Sequence, residues 1–211
     1  SANTVSSYVR DVHQFAQSME DSGVSLTEVL PKDVEGFTKS LVRKGKSPAT
    51  VTRSVASIKS FYNCLIALGK VDRNPAKGVA PAKVERKLPQ ILTSKEVDLF
   101  LEQPDPSDAK GCRDKAMLEL LYATGIRVSE LIGLNLEHVN LSAGFVRCVG
   151  RSKERIIPLY PAAVRALTAY MTQVRPQMIE HPDEKALFVN MNGERMSRQG
   201  FWKLIKFYQE K

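Results

Sequence analysis

Apolar residues recur at three- and four-residue intervals over most of this chain and alternate in only one stretch. Val5, Val9, Val12, Phe15, Ala16 and Met19 predict a helix over 3–20, with Asn3, Ser6, Ser7 and Arg10 off its stripe. A second helix is expected from Pro31 to Arg43, with Val34, Phe37, Leu41 and Val42 inward and Lys44, Gly45 and Lys46 ending it. The third has the plainest bounds. Ser47 is an N-cap residue, Pro48 suits a first turn and Gly69 closes the run. Its stripe is Val51, Val55, Ile58, Phe61 or Tyr62, Leu65 and Leu68, and its other face carries Thr50, Thr52, Arg53, Ser57, Lys59, Ser60 and Asn63.

Residues 74–90 break the pattern. Pro75, Pro81 and Pro89 oppose regular structure, and Lys77, Lys83, Arg86 and Lys87 outnumber Glu85. The expected organisation is a helical domain over 1–73, a basic linker over 74–90 and a second domain over 91–211. Thr93 or Ser94 caps a helix carrying Val97, Leu99, Phe100 and Leu101, and a helix over about 111–124 follows the loop of Pro104 and Pro106. From Gly144 to Tyr160 the period becomes two, which predicts two strands joined by a turn near Arg151–Glu154. A helix over 161–175, a short strand with an Asn-Gly turn in "ALFVNMNGERMS", and a last helix capped by Ser197 complete the chain. Trp202 is expected in the core.

Composition narrows the partners. The net charge is +8 and the isoelectric point about 9.4, which favours a polyanion, nucleic acid first and a membrane surface second. The basic residues are spread over several elements, so no basic amphipathic helix supports the membrane alternative. No apolar run has transmembrane length and no signal peptide is recognisable, so a soluble, cytoplasmic protein is expected. Cys64, Cys112 and Cys148 lie far apart and suit a reducing compartment, and His13, His138 and His181 are equally scattered; no metal site is expected.

Candidate chemistry gathers in "LYATGIRVSELIGLNL" at 121–136. Gly125 reads as a helix end in the left-handed conformation, and a second helix starts at once with Ser129 and Glu130 in its first turn. Arg127 sits at the joint. Its planar fork matches two phosphate oxygens, and a helix start beside it offers N–H donors to an anion. On this stretch alone, an ordinary surface arginine between two packed helices explains it as well or better. The polar face of the third helix likewise suits either phosphates and base edges or plain solvent.

The wider pattern resembles the tyrosine recombinases of the phage-integrase family, and most closely their Xer branch. "NTVSSYVRDVHQF" and "SPATVTRSVASIKSFYNCLIALG" resemble helices of the family's core-binding domain. "ATGIRVSELIGL" resembles its first arginine box, "GRSKERIIPL" the hairpin with the catalytic lysine, and "LFVNMNGERMSRQGFWKLIKFY" the approach to the second box. The resemblance implies a mainly α chain. An N-terminal four-helix-type, SAM-like core-binding domain lacks its first helix and precedes a mixed α/β catalytic domain with a small antiparallel sheet.

It also implies strand exchange through a 3′-phosphotyrosine, without metal, nucleotide or other cofactor. Arg127 would stabilise phosphate charge, Glu130 would orient Arg127, and Lys153 would protonate the leaving 5′-oxygen. The expected DNA contacts are Asn3, Ser7, Arg10, Ser47, Thr50, Thr52, Arg53, Ser57, Lys59, Lys83, Arg86, Lys87 and Arg151. The implied partners are double-stranded DNA, a homo- or hetero-tetramer on two recombination sites, and a DNA translocase at the division septum. Either chromosome-dimer resolution or mobile-element integration and excision would fit.

One departure stands out. His13, His138 and His181 are followed three residues on by Ala16, Leu141 and Glu184, so the family's His-x-x-Arg box is missing. The six tyrosines also lie outside the nucleophile's context. The chain is therefore expected to be a C-terminally truncated fragment that binds DNA without cutting it. The alternative is a non-catalytic DNA-binding regulator derived from the same fold.

Overall fold

A computed structural model describes residues 2–80, 91–150 and 154–211. The chain divides into two compact units, Ser1–Pro89 and Gln90–Lys211. Lys83, Arg86, Lys87, Arg151 and Lys153 lie outside the described residues.

The first unit is built from α1 (Ala2–Asp21), α2 (Pro31–Arg43) and α3 (Pro48–Ala67). Ser47 caps α3 by accepting the Thr50 N–H. Phe15 meets Phe37 and Tyr62 edge to face, at 5.2 and 6.3 Å between ring centres, among buried Val34, Leu41, Val51, Val55 and Ile58. Each such side chain contributes about 1.5–3 kcal/mol of burial. The rotation of α1 differs from the expected stripe. Asp11, Phe15 and Met19 face inward, while Val5 and Val9 are exposed. Asp11 finds Arg53 and Ser57 on α3, and satisfying that buried carboxylate sets the helix rotation.

Part of the expected linker belongs to this unit. Asn74 donates to the Lys59 carbonyl and to Asn63, Lys59 donates to the Val79 carbonyl, and Ala76 and Val79 are buried in the helical core. Pro75 sits in a turn where the Lys77 and Val79 N–H groups donate to the Asn74 and Ala76 carbonyls and the Ala76 N–H to Asn74 Oδ1.

In the second unit α4 (Ser94–Glu102) and α5 (Ala109–Thr124) precede α6 (Val128–Gly133). A 3-10 turn (Leu136–His138) leads into an antiparallel sheet in the order β1 (Val139–Asn140), β2 (Phe145–Val149), β3 (Glu154–Pro158). Then come α7 (Pro161–Ala169), a π-helical turn (Tyr170–Val174), α8 (Arg175–Met178) and α9 (Arg198–Gln209). Pro176 explains the π turn: it has no N–H and its ring crowds the carbonyl four residues back, so the expected single helix widens there.

α5 is the axis of this unit. Ala116, Met117 and Leu120 are fully buried, and so is Asp114. Burial pushes the Asp114 carboxyl up, and the Arg113 charge and the bonds from Arg113 and Tyr208 pull it back only in part. The expected core position of Trp202 is not realised. Phe201, Leu204 and Tyr208 form the inward stripe of α9, and Trp202 is 62% exposed beside it. The expected strand near 187 reduces to isolated bridges, Asn135 with Ala186 and Val189 with Arg195. Among the described residues no helix is long and apolar enough to cross a membrane.

Candidate functional site

The joint between α5 and α6 is held from both sides. Gly125 takes φ 58° and returns its N–H to the Leu121 carbonyl, a left-handed cap that a side chain would disfavour. Ile126 is buried, and Arg127 is the extended N-cap of α6. Six residues cannot sustain a helix alone. Burial of Leu131 and Leu134 anchors α6, and Arg195 closes its far end. Arg195 Nη1 donates to the Ile132 and Leu134 carbonyls at 2.9 and 3.0 Å, and Nη2 to Asn135 Oδ1 at 2.6 Å.

At the near end Glu130 reaches back. Its Oε2 accepts the Arg127 backbone N–H at 2.8 Å, while Oε1 lies 3.4 Å from Arg127 Nη1 and 2.9 Å from Arg155 Nη2. The Arg127 N–H is the largest cause that holds the Glu130 carboxyl below its usual range; burial opposes it, and the charges of Arg155 and Arg127 add to the lowering. The start of α6 is thus occupied by its own carboxylate, which differs from the open anion site expected there. The Arg127 side chain is 77% exposed. A guanidinium touched at one terminal nitrogen, Nη1 at 3.4 Å, with most of its surface in solvent, can grip two oxygens of a phosphodiester.

The remaining expected contacts separate. Asn3 and Arg10 are exposed on α1, with Ser7 half-buried between them. Ser47 and Thr50 join through their hydroxyls at the start of α3. Arg53 and Ser57 are both turned to Asp11, with the Arg53 side chain still 45% exposed. Ser57 is buried and donates to Asp11, and Arg53 spends two donors on Asp11 at 2.9 Å. Lys59 and Thr52 lie seven residues apart, on the same flank of α3 as Asn63. Arg155 and Arg195 are the site residues that sequence reasoning missed. Their partners are 25 and about 60 residues away, beyond any local spacing signal.

Four phenols are poor nucleophile candidates. Burial, the leading cause in each, pushes Tyr62 and Tyr170 up to about 12 and also raises Tyr160 and Tyr208, which in addition bond to Glu119 and Asp114. Among the described residues no three His, Cys, Asp or Glu side chains gather as for a metal ion. His138 accepts the Asn135 N–H through Nδ1, a structural task.

A model of the phage integrase family matches residues 90–211, and one of the phage integrase N-terminal SAM-like domain matches residues 1–69. A putative tyrosine recombinase from Caldanaerobacter subterraneus subsp. tengcongensis is 43% identical over 211 residues, all of this chain and 71% of that protein. Tyrosine recombinase XerD from Oceanobacillus iheyensis is 45% identical over 210 residues, covering 98% of this chain and 70% of the relative. Among solved structures, XerA recombinase superposes with a TM-score of 0.51 at 25% identity, over 100% of this chain and 70% of that one. A lambda integrase tetramer bound to a Holliday junction gives 0.73 at 16% identity, over 100% and 60%, a likeness of fold.

Proposed function

The chain belongs to the phage integrase family, and we propose that it serves site-specific DNA recombination by transesterification in the Xer-like branch. The observation that carries this reading is the solvent-facing Arg127 guanidinium, based on a carboxylate that a second arginine also holds. In this reading a tyrosine oxygen attacks a DNA phosphorus. The P–O5′ bond breaks as the P–O bond to tyrosine forms, and the energy stays in a 3′-phosphotyrosine. Arg127 stabilises charge on the pentacoordinate phosphate, Glu130 orients Arg127, and Lys153 gives its proton to the departing 5′-oxygen. A 5′-hydroxyl of another strand reverses the step and completes exchange, in chromosome-dimer resolution or in mobile-element integration and excision.

The residues up to about Val79 form the helical DNA-binding domain, and 91–211 form part of the catalytic domain. Exposed Asn3 and Arg10, with Ser7, Ser47, Thr50, Thr52 and Lys59, contact the duplex together with Lys83, Arg86, Lys87 and Arg151. The working assembly is a tetramer of like or related chains on two sites, in the cytoplasm, with a septal DNA translocase as a further partner. We assign the nucleophile to none of the six tyrosines, so these 211 residues bind DNA and do not cut it.

Equilibrium titration of the 211-residue chain with a labelled duplex tests the reading. The logarithm of the affinity should fall steeply and linearly with the logarithm of salt concentration, because several phosphates are neutralised. A flat response would overturn DNA binding. A covalent adduct on a nicked substrate would overturn the assignment of the tyrosines.

A further inference from the structure

Glu130 has two oxygens and three donors. Oε2 is taken by the Arg127 backbone N–H, and Oε1 is nearer to Arg155 at 2.9 Å than to the Arg127 guanidinium at 3.4 Å. A carboxylate and a guanidinium three residues apart would, left to themselves, close into a fork-to-fork pair that uses the planar edge a phosphate needs. Arg155 stands in the way of that closure. It is fixed by β3, where it faces buried Cys148 of β2 across the antiparallel ladder.

We propose that Arg155 is a positioning residue that occupies Glu130 Oε1 and so keeps the Arg127 guanidinium open for a DNA phosphate. The role rests on the functional reading above and adds to it a residue from a different element. Arg155 acts through Glu130. Without it, Glu130 turns both oxygens of its carboxylate on Arg127, and the guanidinium is withdrawn from DNA. Arg155 is 48% exposed, so the competing role is a direct phosphate contact of its own.

A double-mutant cycle on duplex affinity, read together with its salt dependence, separates the two. In the 211-residue chain, Arg155→Gln should weaken binding about tenfold, as the loss of one charge-assisted contact does. It should also reduce the salt slope by about 0.9, one phosphate's share. Arg127→Ala should give the same pair of changes. In a Glu130→Gln background, Arg155→Gln should change neither quantity, because the withdrawing carboxylate is gone. Arg155→Lys, which keeps a cation at Oε1, should retain most of the affinity.

Equal losses from Arg155→Gln in both backgrounds would make Arg155 a phosphate ligand and overturn the positioning role. So would an unchanged affinity in the single variant. If Arg155→Gln does not fold, the cycle of Arg155→Met with Glu130→Gln, which also removes the charge at Oε1, replaces it, and additivity there overturns the proposal. A wild-type chain without salt-dependent DNA binding overturns the functional reading itself, whereas normal binding with an additive cycle overturns this role alone.

Discussion

Asp11 on α1 accepts both Nε and Nη2 of Arg53 on α3 at 2.9 Å, a bidentate pair linking positions 42 residues apart. Ser57 Oγ adds a third bond to the same carboxylate at 2.9 Å. Burial pushes the Asp11 carboxyl up, but the bonds from Arg53 and Ser57 and the Arg53 charge outweigh it, and the net shift is downward. Asp11→Ala should destabilise the helical unit by about 1–2 kcal/mol, since it removes the charge-assisted bonds to the carboxylate, while the Ser57 hydroxyl keeps the Arg53 carbonyl at 3.0 Å and Arg53 can turn to water. Urea unfolding of wild type and variant would measure the difference. Because the folded carboxyl is the stronger acid, the difference should be full above the ordinary aspartate range and vanish as pH falls through the folded value. A difference that grows on acidification would contradict the pairing.

Glu130 gives a second acid-side signature, in the other unit. Its carboxyl is held below the usual glutamate value of 4.5, with the Arg127 N–H as the largest cause. Its contribution to stability is therefore present above pH 4.5 and lost as pH falls through the depressed folded value. Thermal midpoints of wild type and Glu130→Gln should differ at neutral pH and converge in acid. A gap independent of pH would mean that Glu130 stabilises α6 by packing alone.

Replacing Arg127 with lysine separates charge from geometry. Lys keeps the positive charge, so Arg127→Lys should leave duplex affinity within about twofold, in keeping with its single screened contact. It cannot grip two phosphate oxygens at once. In a cleavage-competent chain, built by joining these 211 residues to the C-terminal segment of a longer XerD relative, cleavage should fall by at least about a hundredfold. Normal strand exchange by that variant would remove Arg127 from the site.

Lys153 is tested by changing the leaving group. In the same chimaera, Lys153→Ala should slow cleavage of an ordinary phosphodiester, whose 5′-alkoxide needs a proton. A 5′-bridging sulfur leaves without one, so on that substrate Lys153→Ala should recover much of its rate. Arg127→Ala should stay slow on both, because phosphate charge still needs stabilising. Equal defects of Lys153→Ala on the two substrates would reduce the lysine to a DNA contact.

What the sequence made legible was local. Pro31 and Arg43 bound α2 as expected, Ser47 and Pro48 start α3, and the change of period at 144–160 marks the hairpin of β2 and β3. Arg127 and Glu130 are three residues apart, so their contact follows from helix spacing. What escaped was set by tertiary partners. Val5 and Val9 keep helical spacing yet stay exposed, while Asp11, off that stripe, turns inward to Arg53 and Ser57 on α3. The bonds of Arg53 and Ser57 to Asp11 span 42 and 46 residues and leave no local spacing signal. Arg195 carries no short-range mark of its role, since the carbonyls it caps belong to a helix about 60 residues earlier.

The joint of Gly125, Ile126 and Arg127 has a consequence for how this chain tolerates change in length. Loops usually absorb insertions, but here both neighbours are pinned, α5 by its buried core and α6 by Leu131, Glu130 and Arg195. One added residue would lengthen the joint by up to about 3.5 Å between two fixed ends. Either Leu131 leaves the core or Arg127 leaves its carboxylate. The three-residue joint therefore acts as a gauge block whose length, as much as its composition, selection must keep.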